Sequence, residues 1–138
     1  MEESERKIKY ARITVYAFFA IIIASIVIYT LNEIRIKKMV LNNYKTTIAY
    51  VEDVGVVGIE SNVFLTYSYI VNNVKYERTI QAPYEFEDCC EPKTNKCCTA
   101  KYWVIYSINK PDKSLINLTI DLQGIKNPIF PESLDYFN

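Results

Sequence analysis

Hydrophobic positions follow two different rhythms along this chain, and the change between them divides it. Residues 13–31 (ITVYAFFAIIIASIVIYTL) run for nineteen positions without a charge, Gly or Pro. As a helix rising roughly 1.5 Å per residue, the run spans about 28 Å, close to the roughly 30 Å of hydrocarbon in a bilayer. Eleven of its residues are Ile, Val, Leu or Phe; at about −0.5 kcal/mol each they favour insertion by on the order of 5 kcal/mol. A helix apolar on every side has no polar face to offer water, and the rest of the chain supplies too few helices to bury it in a soluble core. The pattern predicts one transmembrane helix over 13–31, after a short tail over 1–12. The run exceeds the usual signal-peptide core, and Asn32, Glu33, Ile34 and Arg35 follow it in place of a small-x-small cleavage site. It therefore reads as an uncleaved signal anchor, with Tyr10, Tyr16 and Tyr29 as interfacial aromatics. No breaker interrupts 34–41 (IRIKKMVL), which predicts a helical stalk over 32–43.

Beyond the stalk the period shortens to two. Residues 46–54 are rich in β-branched side chains and predict a first strand, followed by a turn region over 55–62. Over 63–71, Val63, Leu65, Tyr67, Tyr69 and Val71 share one face, opposite Phe64, Thr66, Ser68 and Ile70. Over 74–80, Val74, Tyr76 and Ile80 share a face with Arg78, while Lys75, Glu77 and Thr79 point out. Asn72 and Asn73 between these runs predict a two-residue hairpin, because Asn tolerates the left-handed backbone such a loop needs. Residues 101–108 (KYWVIYSI) are apolar on both faces, as a central strand should be. A turn cluster follows over 109–113, and then a strand over 115–122 with Ile116, Leu118, Ile120 and Leu122 inward and Asn117, Thr119 and Asp121 outward. Five strands within 44–123 predict a mainly β fold, a small antiparallel five-stranded β-barrel or curved sheet behind a single transmembrane α-helix. Pro128 and Pro131 mark 124–138 as an extended C-terminal tail, mobile unless it docks.

Two of these hairpins carry a resemblance. Tyr67-Ser-Tyr69-Ile-Val71-Asn72-Asn73-Val-Lys75-Tyr76 and Tyr106-Ser-Ile108-Asn-Lys110-Pro111-Asp-Lys-Ser114 resemble the small membrane-anchored β-domains of unknown function common in Bacteroidetes-type genomes. Asn73 stands where that family usually has Gly, and Ile108 and Lys110 replace its Pro and Asn. The resemblance implies the fold and the anchor, and brings no activity with it.

Charge narrows the partners. Sixteen basic residues balance sixteen acidic ones, and no basic stripe gathers on the β region, which argues against nucleic acid and against clinging to anionic lipid heads. Arg6, Lys7, Lys9 and Arg12 precede the span, and Arg35, Lys37, Lys38 and Lys45 follow it, so the positive-inside bias is tied. Long domains cross largely regardless of charge, which favours a cytoplasmic N-terminus with the C-terminal domain on the outer, periplasmic-side face of an inner membrane.

All four cysteines fall in one segment, Cys89-Cys90-Glu-Pro-Lys-Thr-Asn-Lys-Cys97-Cys98. In an oxidising compartment they would pair as Cys89 with Cys98 and Cys90 with Cys97, or in the crossed alternative, Cys89 with Cys97 and Cys90 with Cys98. A closed loop of about ten residues contributes roughly 2–3 kcal/mol in the chain-entropy account. Four thiolates also satisfy a zinc site, but adjacent cysteines point opposite ways in a strand, whereas structural zinc draws pairs spaced by two to four residues. Disulfides are the leading expectation and zinc the lesser one. Without a C-x-x-C motif or any His, redox catalysis has little to work with.

Catalytic reagents are equally scarce, since the chain has three Gly in all and lacks both a G-x-S-x-G motif and a phosphate-cradling loop. Glu85, Glu87, Asp88 and Glu91 read as a solvated acidic loop, with cation binding or an acid–base pair the sharper alternatives. Of the twelve tyrosines, Tyr67, Tyr69, Tyr76, Tyr102 and Tyr106 are expected in the core with hydroxyls at its rim, and any left exposed suit a protein-binding face. Together these features predict a non-catalytic, single-pass anchored module without a cofactor. Its expected partners are the bilayer and the other proteins of a larger membrane complex; the alternative is a free-standing envelope sensor or stress protein whose cysteine hairpin responds to redox state or metal.

Overall fold

The computed structural model describes residues 2–58, 62–86 and 100–138, with the side chains of 2–9 and 11 left aside. Helix α1 (Glu2–Asn42) is continuous through the expected tail, span and stalk. Within it, Arg12–Asn42 is long and apolar enough to cross a membrane, with a mean hydropathy of 2.3 in its best window, none of which is buried in the molecule. Ser25 and Thr30 do not break this character, because each donates its hydroxyl to the carbonyl one turn back, Ile21 and Ile26 respectively. The chain divides into two compact units, Met1–Ile36 and Lys37–Asn138.

The second unit is a five-stranded antiparallel sheet of β1 (Tyr44–Val57), β2 (Asn62–Val71), β3 (Val74–Gln81), β4 (Lys101–Ser107) and β5 (Ser114–Asn117). Its spatial order is β3-β2-β1-β4-β5. Strand β1 serves two neighbours in succession, pairing β4 through residues 44–50 and β2 through residues 50–57. A strand shared in this way bends, and the bend curls the sheet into a half-barrel. A bulge supplies the bend: Val51 opposes Tyr67 and Asp53 opposes Thr66, which leaves Glu52 as the extra residue. The inserted position keeps Val51 and Val54 on the same inner face although they are three apart in sequence. Gly55, Val56 and Val57 continue the ladder to Asn62, so the turn expected over 55–62 is shorter than its glycines suggested. It begins at Gly58, whose φ of 86° requires glycine's freedom.

The β2–β3 hairpin follows the sequence reading. Asn72 and Asn73 have φ of 51° and 64°, both left-handed, and Val71 pairs Val74 across them. The alternate residues Val63, Leu65, Tyr67, Tyr69 and Val71 are all buried, joined inside the curl by Ala49, Val104 and Ile116. Tyr69 is the hub of this core, with its ring centroid 6.1 Å from Tyr67, 5.8 Å from Tyr76 and 6.1 Å from Tyr106. Stacked pairs of this kind add about 0.5–1.5 kcal/mol each beyond the area they bury.

The last predicted strand needs correction. Strand β5 covers only Ser114–Asn117, and Ile120, expected inward, is 46% exposed. Asn117 keeps the outer face expected of it, opposite Trp103, but is buried at 2% exposure beneath the docked tail, where it bridges to Phe137. The Asn117 Oδ1 accepts from both the amide and the hydroxyl of Thr119, 2.9 and 2.6 Å away, and this side-chain turn replaces the ladder. Residues 119–120 loop out, and the chain returns to β4 where the Leu122 amide donates to the Lys101 carbonyl at 2.8 Å. Leu122 is thereby buried as expected.

The tail docks. Trp103, on the outer face of β4, donates its Nε1 proton to the Ile129 carbonyl at 3.3 Å and meets Phe130 edge-on at 5.3 Å. Phe130 in turn lies 5.7 Å from Phe137, a fully buried ring that, with Ile105 and Leu115, fills the outer side of the sheet. This is why 101–108 is apolar on both faces: the inner one belongs to the tyrosine core and the outer one to the tail.

Candidate interaction surface at the seam of the half-barrel

A curled sheet that does not close leaves two edge strands, here β3 and β5, facing each other across a seam. Hydrogen-bond parity shows what each edge offers. The Ala82 amide donates to the Val63 carbonyl at 2.9 Å, so the narrow pairs of the β2–β3 ladder alternate from there through Leu65/Ile80, Tyr67/Arg78 and Tyr69/Tyr76. The backbone groups of Lys75, Glu77, Thr79 and Gln81 therefore point away from β2, and among the described residues none of them has a backbone partner. On β5 three of the equivalent groups are occupied. Arg78 Nη1 donates to the Ser114 carbonyl, and Ile116 exchanges two hydrogen bonds with Asn138, at 2.9 and 3.1 Å.

One end of the seam is tied shut and the other is open. At the tied end Tyr67 Oη is hydrogen-bonded to Ser114 Oγ at 2.9 Å, and Tyr69 Oη donates to the Pro111 carbonyl at 2.5 Å. Pro111 lies within the 110–113 turn and Ser114 directly follows it, the turn being closed by the Lys113 amide donating to the Lys110 carbonyl. At the open end lies a cleft of about 380 Å³ with Ile80, Phe86, Ile116, Leu118 and Tyr136 as its apolar walls, within the size range of ligand pockets. Gln81, Glu85, Thr119 and Asn138 supply its polar groups. Residues 84–86 make a single 3₁₀ turn that brings Phe86 over Tyr102, at 6.2 Å between ring centroids.

Electrostatics on the outer face centre on the bulge. Ser68 donates to Glu52 Oε1, and Lys75 Nζ lies 2.9 Å from both Glu52 and Glu77. The Ser68 hydroxyl first, and then Lys75, hold the Glu52 carboxyl below the ordinary carboxylate value. The Glu77 and Glu52 carboxylates raise the Lys75 ammonium. Inside, burial pushes the Tyr69 and Tyr102 hydroxyls up.

The residues singled out from sequence fall in different places. Cys89, Cys90, Cys97 and Cys98 lie outside the described residues, as do Glu87, Asp88 and Glu91 of the acidic loop; Glu85 is at the lip of the cleft. Tyr67, Tyr69, Tyr102 and Tyr106 are buried as expected and Tyr76 is half-buried. Tyr50, Tyr84 and Tyr136 are the exposed ones of the β unit, and Tyr136 borders the cleft. Among the described residues no group of three or more His, Cys, Asp or Glu is placed to hold a metal. Sequence reasoning missed the seam itself. Its one sign was Arg78, a charge on an otherwise apolar face, which a barrel-spanning hydrogen bond explains. No family model matches this chain, and no match is found among known proteins or solved structures.

Proposed function

We propose that this protein is a non-catalytic, single-pass membrane-anchored module that acts as an accessory or structural subunit of a larger membrane complex. The observation that carries the reading is the apolar helix, none of whose best window is buried in the molecule. Water cannot cover such a surface cheaply, and a bilayer can. Anchoring explains the helix; an accessory role adds a reason for the open β3 edge and the cleft with its exposed Tyr136, features suited to contact with another protein. The domain sits on the outer face of an inner membrane in this reading, where the four cysteines pair as disulfides. No cofactor and no nucleic acid take part.

Alkaline carbonate should leave the protein in the membrane pellet, and Ile22→Arg, costing roughly 3 kcal/mol of insertion, should reduce its incorporation. After mild detergent extraction the full chain should migrate on a native gel with a complex far larger than itself. Release by carbonate would remove the anchor from this reading, and migration near 16.1 kDa plus bound detergent would replace the subunit with a free-standing protein.

A further inference from the structure

The seam has one edge occupied and one edge open, and the chemistry of the open edge changes along its length. The first half of β3 carries Lys75, Glu77 and Arg78, the charges by which natural edge strands discourage pairing. Its second half, Thr79-Ile80-Gln81, carries none. The outward amides and carbonyls of Thr79 and Gln81 have no backbone partner among the described residues. They form a strand-shaped row of alternating donors and acceptors, which another extended backbone can satisfy all at once. Beside this uncharged half, and not beside the charged half, lies the cleft bordered by Ile80, Gln81, Phe86, Ile116, Leu118 and Tyr136. A strand laid against Thr79 and Gln81 would place every second side chain on the inner face next to Ile80, and so into the cleft.

We infer that the Thr79–Gln81 edge of β3 is a strand-addition site for an extended, uncharged segment of a partner protein, with apolar side chains at alternate positions filling the seam cleft. The inference rests on the accessory-subunit reading and names where the partner binds. Backbone pairing supplies affinity, and the cleft selects apolar residues. The charged half of β3, beside the point where Arg78 ties the seam to Ser114, limits how far the segment extends. Glu85 at the lip disfavours an acidic residue there.

Because the Thr79 amide points out of the sheet, Thr79→Pro removes a donor from the edge without removing a bond of the β2–β3 ladder. Full-length chains carrying Thr79→Pro, Gln81→Pro or Thr79→Val would be extracted in mild detergent and compared with the unmodified chain on native gels. Thr79→Val is the control, since it loses the hydroxyl bond to Thr66, 2.8 Å long, and keeps the amide. The expected result is loss of the large complex for both proline variants and its retention for Thr79→Val. Amide exchange of the unmodified chain adds a readout that needs no variant: Thr79 and Gln81 should exchange more slowly in the complex than in the dissociated chain. A folded Thr79→Pro chain still in the complex overturns strand addition and leaves the subunit reading standing. So does protection of Thr79 and Gln81 already present in the dissociated chain, which would mean that the edge is taken from within, or a species of twice the chain's mass in place of the complex. An unmodified chain that migrates alone overturns both.

Discussion

Arg78 and Ser114 are 36 residues apart, and the guanidinium of one donates to the backbone carbonyl of the other across the open side of the half-barrel. Strands β3 and β5 are the two ends of the sheet order, so this bond joins edges that no ladder connects. A part-buried hydrogen bond from a charged donor contributes about 1.5–3 kcal/mol. Arg78→Ala is expected to cost that much in urea unfolding of the detergent-solubilised chain, and Ser114→Ala, which keeps the carbonyl that Arg78 reaches and loses the hydroxyl beside Tyr67 and Tyr69, about 1 kcal/mol. If Arg78→Ala is no worse than Lys75→Ala on the exposed face, the tie contributes nothing to closure.

The tail is a structural part of the β unit. Phe137 is fully buried and lies tilted against Phe130, and its neighbour Asn138 pairs with Ile116. Phe137→Ala should destabilise by about 3–5 kcal/mol. The emission of Trp103, the chain's single tryptophan, should shift red as its cover loosens. Unchanged stability and emission would mean that the tail lies on the sheet without holding it.

At the β2–β3 hairpin, Asn73 has φ of 64°. Asn73→Ala places a Cβ with no compensating polar group in the left-handed region and should cost about 1 kcal/mol, whereas Asn73→Gly should be neutral or slightly stabilising. Equal denaturation midpoints for the Ala and Gly variants would contradict the left-handed turn.

Acid should loosen the bulge. Glu52 is held below the ordinary carboxylate value by Ser68 and Lys75. Its contribution to stability is present above the unfolded-state value and is lost as pH falls through the lower folded one. Lys75 is raised by Glu77 and Glu52, so its contribution is present below the unfolded lysine value and is lost as pH rises through the folded one. Glu52→Gln should flatten the acid limb of the stability profile and weaken the alkaline one, both effects shrinking in high salt because the groups are exposed. An acid limb of unchanged slope would assign acid sensitivity to other carboxylates.

Local pattern determined much of this protein. Nineteen uncharged positions over 13–31 predict a helix long and apolar enough to cross a membrane wherever the rest of the chain goes. The alternation from Val63 to Val71 and the two asparagines after it set a hairpin and its inner face, because side-chain period and left-handed backbone are properties of adjacent residues. The double-faced apolar run at 101–108 marked a central strand, though not what covered its second face. Tertiary structure decided the remainder. Val51 and Val54 face the same core only because Glu52 is squeezed out opposite a strand that the sequence does not name as its neighbour. Ile120 is outward because a side-chain turn ends β5 early, and Asn117, on the outer face opposite Trp103, is buried because the tail covers it. The seam, with Arg78 reaching Ser114 and Asn138 lying along Ile116, depends on how far five strands curl. Curl is the sum of twist and bulge over the whole sheet, and no stretch of sequence contains it.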